Sequence, residues 1–121
     1  MPRLLRKHKY GAQSVTVDGH RFDSKAEAKR YGELKMLERA GEVWNLKVHP
    51  RFDLHARFMP NSDNAHKHVV KIGVYEADFQ YEADEGQLLI EDVKGVPTPL
   101  YRWKKKHFEA EYGMEITEIT S

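Results

Sequence analysis

Residues 75–94 read YEADFQYEADEGQLLIEDVK, and the fold turns on how this stretch pairs with itself. Two β-strands joined by a tight turn account for it. Asp84-Glu85-Gly86-Gln87 is the turn, with Gly86 supplying a backbone conformation that costs other residues more. On the first strand Tyr75, Ala77, Phe79 and Tyr81 point one way and Glu76, Asp78, Gln80 and Glu82 the other. On the second, Leu88, Ile90, Asp92 and Lys94 share a face, opposite Leu89, Glu91 and Val93. An acid and a lysine at the end of an otherwise apolar strand face are costly unless paired or functional. If the strands are neighbours, Asp78 approaches Asp92 and Lys94. Two carboxylates and an ammonium then converge, which describes a divalent-metal site with a cation beside it.

Composition sets the frame for that site. With 121 residues, 40% hydrophobic and 32% charged, the chain fits one soluble domain with a modest core. No apolar run approaches a bilayer span, and the N-terminus lacks a signal-like apolar region. The absence of cysteine excludes disulfides and thiolate metal sites and makes a cytoplasmic location the expectation. The net charge of +1 predicts no partner, but its distribution is informative. Arg3, Arg6, Lys7 and Lys9 form a basic head, and Arg102, Lys104, Lys105 and Lys106 a second basic cluster. Between them, Glu76 to Asp92 carries seven acids and no base. An acidic block flanked by basic ones suits a metal site that serves a polyanion.

Working outward, residues 1–12 read as a flexible basic arm, either a solvated tail or a contact for nucleic acid, ahead of a single domain over 13–121. Ser14–Val17, Asp18-Gly19 and His20–Phe22 form a short hairpin. A helix follows over Lys25–Ala40, with Ser24 as N-cap, Glu27 completing a capping box and Gly41 ending it. Ala28, Tyr31, Leu34, Leu37 and Ala40 define its buried face. Glu27 is a capping glutamate, a metal ligand, or both.

Glu42–Val48 is a strand with Val43 and Trp44 as core candidates. Pro50 interrupts it, and Arg51–Leu54 continues as a second short strand. Residues 57–68 read as a loop rich in turn residues. His49, His55, His66 and His68 invite a zinc reading, but no HxxxH or HExxH spacing is present, so surface histidines near a polyanion are the expectation. Val69–Glu82 forms the first strand of the opening pair. Thr98 caps a second helix over Pro99–Tyr112. Leu100, Trp103, His107 and Ala110 occupy one stripe of it and Tyr101, Phe108 and Tyr112 another, so a broad face is partly buried while the three lysines fan outward. Gly113 ends the helix, and Met114–Ile119 is a final strand with Ile116 and Ile119 directed inward.

The text VDGHRFDSKAEAKRY, AGEVWNLKVHPRFDL, YEADFQY, IEDVKG and TPLYRWKKKHFEAEYG resembles a family of small phage and prophage proteins of unknown function (DUF1064-like). More broadly, the order of elements and the acid-x-lysine motif resemble the PD-(D/E)XK nuclease superfamily, whose small members include Holliday-junction-resolving endonucleases. The resemblance covers nearly the whole chain after Lys9. The short motif alone is weak. Its place after a hairpin, with a helix glutamate upstream, is more specific. The resemblance implies an α/β, restriction-endonuclease-like core. A central mixed sheet is flanked by helices in the order α-β-β-β-α-β, after the N-terminal hairpin.

The resemblance also assigns roles. Glu27 matches the first-helix glutamate, Asp78 the aspartate of the PD element (with Ala77 in place of proline), Asp92 the second acid and Lys94 the lysine. Mg²⁺ or Mn²⁺ is then held by Asp78, Asp92, Glu27 and the Val93 carbonyl. Glu91 also precedes the motif, but strand alternation turns it away. Lys104 and Lys106 hold the DNA backbone, with Arg102, Lys105, Arg6, Lys7 and Lys9 adding contacts that ignore sequence. The implied activity is metal-dependent endonucleolytic cleavage of branched or structured DNA in a phage-infected or prophage-bearing bacterium, with a homodimer expected if two strands are cut symmetrically. The competing readings are a nucleic-acid-binding protein of the same fold without activity, and a simple Asp92–Lys94 ion pair.

Overall fold

The computed structural model describes residues 13–57 and 68–120. The basic arm, including Arg6, Lys7 and Lys9, lies outside the described residues, as does His66. Strands β1 (Val15–Val17) and β2 (His20–Phe22) form the expected hairpin. Asp18 and Gly19 both take positive φ, at 51° and 80°, the turn geometry that Asp-Gly favours. Helix α1 spans Lys25–Arg39, and the Ser24 side chain accepts a 3.2 Å hydrogen bond from the Glu27 amide. Tyr31 and Leu34 are its buried residues, with Ala26, Ala28 and Leu37 at the margin. Ala40, expected inside, is exposed, because it is the cap residue from which the chain turns away at Gly41.

Between the helices the chain forms β3 (Val43–Val48), β4 (Arg51–Arg57), β5 (Val69–Glu76), β6 (Phe79–Ala83) and β7 (Gln87–Lys94). Helix α2 (Pro99–Tyr112) and β8 (Ile116–Thr120) complete it. The protein is thus α/β with two helices and a mixed four-stranded sheet, ordered β3-β6-β7-β8, whose β7–β8 pair is parallel and whose other pairs are antiparallel. β4 and β5 form a separate antiparallel ribbon.

The resemblance implies three strands between the helices and the residues themselves four; the structure has five, because one strand breaks in addition to the break at Pro50. Val69–Glu82 was expected as one strand, yet it divides at Ala77-Asp78, opposite the break at His49-Pro50. There the Ala77 amide donates to the Pro50 carbonyl (3.0 Å) and the His49 amide to the Asp78 carbonyl (2.9 Å). Proline cannot donate to a ladder, and His49 takes φ +55°. The sheet therefore forks: β6 stays with β3 and β7, while β5 leaves with β4. β4 runs on to Arg57, beyond the expected Leu54. The β6–β7 turn is three residues, Asp84 to Gly86, all at positive φ, so Gln87 already belongs to β7.

The fork divides the core. On one face α1 and the hairpin contribute Phe22, Tyr31 and Leu34, which pack on Val43, Phe79, Tyr81, Ala83 and Val93. Leu54, Tyr75, Ala77, Ile90, Phe108 and Ile116 form a second cluster under α2. Tyr75 and Ala77 thus belong to a different core from Phe79 and Tyr81, although simple alternation groups all four. Trp44 is exposed, because its neighbour Val43 occupies the inward position of the strand. On α2 only the Phe108 side of the helix is buried. Leu100 and Trp103 are 61% and 50% exposed, and Ala110 is exposed too, so the first stripe does not pack on the sheet. Among the described residues no helix is long and apolar enough to cross a membrane.

Glu91 is only 2% exposed and is fully engaged. Arg30 grips both its oxygens, through Nε at 2.9 Å and the terminal nitrogen at 2.7 Å, and the Tyr81 hydroxyl donates to it as well. Removing one side of such a pair strands a buried charge. Arg30→Ala is expected to destabilise the fold by about 3 kcal/mol in urea unfolding. A loss below about 1 kcal/mol would mean the pair behaves like a surface bridge.

Candidate metal and active site

The fork places the acids. β7 reaches past the last paired residue of β6, which is Phe79 opposite Glu91. Beyond that pair one more backbone bond remains, from the Asp78 amide to the Glu91 carbonyl at 3.1 Å, and side chains add to it. The Val93 amide donates to Asp78 Oδ2 at 2.7 Å, and the Asp78 amide donates to Asp92 Oδ1 at 3.1 Å. The two carboxylates thereby hold each other's strands. Asp92 is 1% exposed, and its other oxygen accepts from the Tyr75 hydroxyl. Glu27 reaches the same place from α1, near enough for its charge to act on Asp78. Lys94 lies close enough to act on Glu27, Asp78 and Asp92, and its ammonium sits 4.2 Å from the centre of the Tyr101 ring.

Electrostatics mark this cluster as strained by charge. Burial, then the neighbouring Glu27 charge, pushes the Asp78 carboxyl up to about 6. Burial pushes Asp92 up to about 7, against the pull of the Tyr75 hydroxyl and Lys94. Burial and the charge of Asp23 raise Glu27 too. Desolvation and the Asp92 charge push the Tyr75 hydroxyl well above its ordinary range, so it stays a donor. One ammonium does not neutralise three carboxyls, and what is missing is positive charge.

Sequence reasoning placed Glu27, Asp78, Asp92 and Lys94 in one site, and the structure brings all four together. It also adds a group. Donor atoms of Glu27, His49 and Asp78 lie within 4.8 Å of one another. Asp92 falls outside that triad, with both oxygens already occupied. Oxygens around one Mg²⁺ at about 2.1 Å sit roughly 3–4 Å apart, so small side-chain rotations close the triad on an ion. The sequence offers His49 only within the zinc reading, which the missing HxxxH or HExxH spacing argues against, because its neighbours in the triad are remote in sequence. Val93 contributes its amide to Asp78.

The basic residues separate. Lys105 folds back onto Glu118 at 3.0 Å, not outward as expected, and Tyr101 donates to the same carboxylate at 2.7 Å. Lys104 lines a cleft of about 470 Å³ with Arg51, Tyr75, Glu76, Leu100 and Tyr101. Tyr75 and Tyr101 are also the residues that touch Asp92 and Lys94, so the cleft adjoins the acidic cluster. Arg51, which sequence reasoning left unassigned, lies 3.4 Å from Glu76 across the ribbon. Lys104, Lys106 and Arg102 have no ion-pair partner among the described residues. His55 is committed elsewhere, bonded to Glu111 at 2.6 Å.

The fold and site define an α/β protein whose mixed sheet opens at one end onto a cluster of carboxyls, an imidazole and a lysine. The family described as "Protein of unknown function (DUF1064)" matches residues 7–120, and the chain belongs to it. No curated protein and no solved structure matches the chain.

The raised carboxyl pKa values fix how stability follows pH. An acid whose folded pKa exceeds its unfolded value binds its proton more tightly when folded, so stability falls as pH rises from the unfolded to the folded value. For Asp78 and Asp92 that window runs from 3.8 up to about 6 and about 7. In chelator, the urea unfolding free energy is expected to drop by about 2 kcal/mol between roughly pH 5 and roughly pH 8. Asp78→Asn and Asp92→Asn should each flatten the drop. A rise over that interval, or a slope unchanged in both variants, would contradict the assignment.

Proposed function

We propose that the chain is a metal-dependent endodeoxyribonuclease of the PD-(D/E)XK type, acting on branched or structured DNA in the bacterial cytoplasm. The observation that carries this reading is the convergence of Glu27, Asp78, Asp92 and Lys94 at the fork, with excess negative charge and a cleft alongside. The donor set fits a divalent cation: Asp78 and Glu27 offer hard oxygens that repel one another without one. A bound divalent ion supplies Lewis acidity toward the phosphate and eases deprotonation of the attacking water.

The remaining work belongs to the chain. Asp92, fixed by Tyr75 and the Asp78 amide, holds Asp78 in place and contributes negative charge next to the ion. Lys94, steadied against Tyr101, orients the attacking water and offsets charge that develops on the phosphate. Arg51 from β4, beside Glu76, and Lys104 from α2 bring cations to the cleft, where a phosphodiester backbone would run. Among the described residues no base-reading element accompanies them, which suits recognition of DNA shape over sequence. The two occupied oxygens of Asp92 favour a second reading, a DNA-binding protein of this fold that does not cut.

The test incubates purified protein with four-way junction, flap, single-stranded and linear duplex DNA in Mg²⁺, Mn²⁺ or chelator. Metal-dependent nicking is expected, and Asp78→Ala, Asp92→Ala and Lys94→Ala should each reduce it by about 100-fold or more. Lys104→Ala should instead weaken binding and lower its salt dependence by about one ion. Binding without cleavage in any metal would select the second reading. Equal cleavage by all the site variants would place the activity elsewhere.

A further inference from the structure

His49 closes the triad described above, and its placement is specific. Three separate segments deliver the three donors: Glu27 from the first turn of α1, His49 from the β3–β4 break and Asp78 from the β5–β6 break. His49 does not arrive there by a loose rotamer. Its backbone has φ +55°, a region that non-glycine residues enter rarely, and its amide is bonded to the carbonyl of Asp78 itself. Its ring packs on the fully buried Phe22, with centroids 5.6 Å apart. The hairpin thus supports the ring from one side while the fork fixes its backbone.

We infer that His49 is a metal ligand and that it sets which ion the site prefers: a nitrogen-accepting divalent transition ion, Mn²⁺ or Co²⁺, over Mg²⁺ or Ca²⁺. The inference rests on the metal-dependent reading above and sharpens it. Mg²⁺ and Ca²⁺ are hard ions that take oxygen and dehydrate for imidazole reluctantly. Imidazole affinity rises along the first-row series, so replacing one carboxylate by a histidine moves a site away from the alkaline earths. Asp92 would have been the third oxygen donor of an all-carboxylate site, but Tyr75 and the Asp78 amide hold it back. The position it leaves is filled by nitrogen. A neutral ligand in place of an acid also lessens the repulsion among the three donors, which lowers the cost of the metal-free state.

Metal affinity and coordination can be read without any DNA. The probes are Mn²⁺, Co²⁺, Mg²⁺ and Ca²⁺, each titrated into the protein by calorimetry. Pulsed electron paramagnetic resonance of the Mn²⁺ complex then detects nitrogen coupling. His49→Asn is the variant of choice, because asparagine tolerates the positive φ that the break requires and carries no imidazole. Wild type is expected to bind Mn²⁺ and Co²⁺ about tenfold or more tighter than Mg²⁺, with nitrogen coupling on Mn²⁺. In His49→Asn the coupling should vanish and the preference should shrink by about tenfold. His49→Gln, which keeps the reach of the side chain but not the imidazole, should behave likewise. Unfolding of His49→Asn in urea checks that the fork survives.

Mn²⁺ bound without nitrogen coupling, or a preference unchanged in both variants, would overturn the inference. If cleavage still occurs in that case, the nuclease reading stands without it. Nitrogen-coupled metal with no cleavage of any DNA would do the reverse, leaving the histidine site intact and removing the nuclease.

Discussion

Everything at this site follows from negative charge gathered in a place too dry to screen it. Asp92 and Glu91 are adjacent on one strand, and each is almost completely buried. The fold treats them in opposite ways. Glu91 faces α1, where a bidentate arginine and a tyrosine neutralise it and satisfy its lone pairs. Asp92 faces α2, where it meets a tyrosine hydroxyl and a backbone amide but shares one lysine with two other carboxyls. A buried acid with a full set of partners is architecture. One that leaves net charge unresolved, beside others in the same condition, is a cost the fold maintains, and such costs cluster at functional sites.

The fork is what makes that arrangement possible. In an unbroken sheet, a residue on the α1 side and one on the α2 side cannot share a ligand, because the strands lie between them. Glu27 comes from one side and Asp92 and Lys94 from the other. Where β5 parts from β6 the barrier ends, and Asp78 sits at that point with its amide turned to one carboxylate and its own carboxylate to the Val93 amide. The break at His49-Pro50 matches the break at Ala77-Asp78 through two backbone hydrogen bonds, so neither strand can bend without the other. The site geometry is therefore tied to ladder bonds and not only to side-chain rotamers.

Much of this was legible in the sequence, and what was not has a physical reason. The Asp18-Gly19 and Asp84-to-Gly86 turns, the Ser24 and Thr98 caps and the opposed faces of β7 are local properties that one segment decides. The division of Val69–Glu82 was hidden because burial alternates straight through the bend: Tyr75, Ala77, Phe79 and Tyr81 are all inside, but in two different cores. Alternation reports whether a side chain is buried, not against what. Pro50 announced one break, while Ala77-Asp78 contains no breaker and bends because its partner does. Trp44, Leu100 and Trp103 look like core residues by type, but Val43 takes the inward position beside Trp44, and α2 buries its Phe108 side instead of the stripe that carries Leu100 and Trp103. His49 belongs to no sequence motif, since Glu27 and Asp78, whose donor atoms lie near its own, are on other elements and meet it only once the fork has formed.

The ribbon of β4 and β5 bears on the cleft more than its separation from the central sheet suggests. It is tied to α2 by polar contacts: the His55 amide to Glu111 at 2.7 Å, the His55 carbonyl to the His107 ring at 2.7 Å, and the Tyr112 hydroxyl to the Asp53 carbonyl at 2.7 Å. Phe52, Tyr75, Phe108 and Tyr112 form a cluster of rings across the same junction, some stacked and some tilted or edge-on. Arg51 and Glu76 are carried on the ribbon and Lys104 on α2, so the width of the cleft is the distance this junction maintains. Tyr75 belongs both to that aromatic cluster and to Asp92. One side chain therefore touches the ribbon–α2 junction, the cleft lining and the acidic cluster.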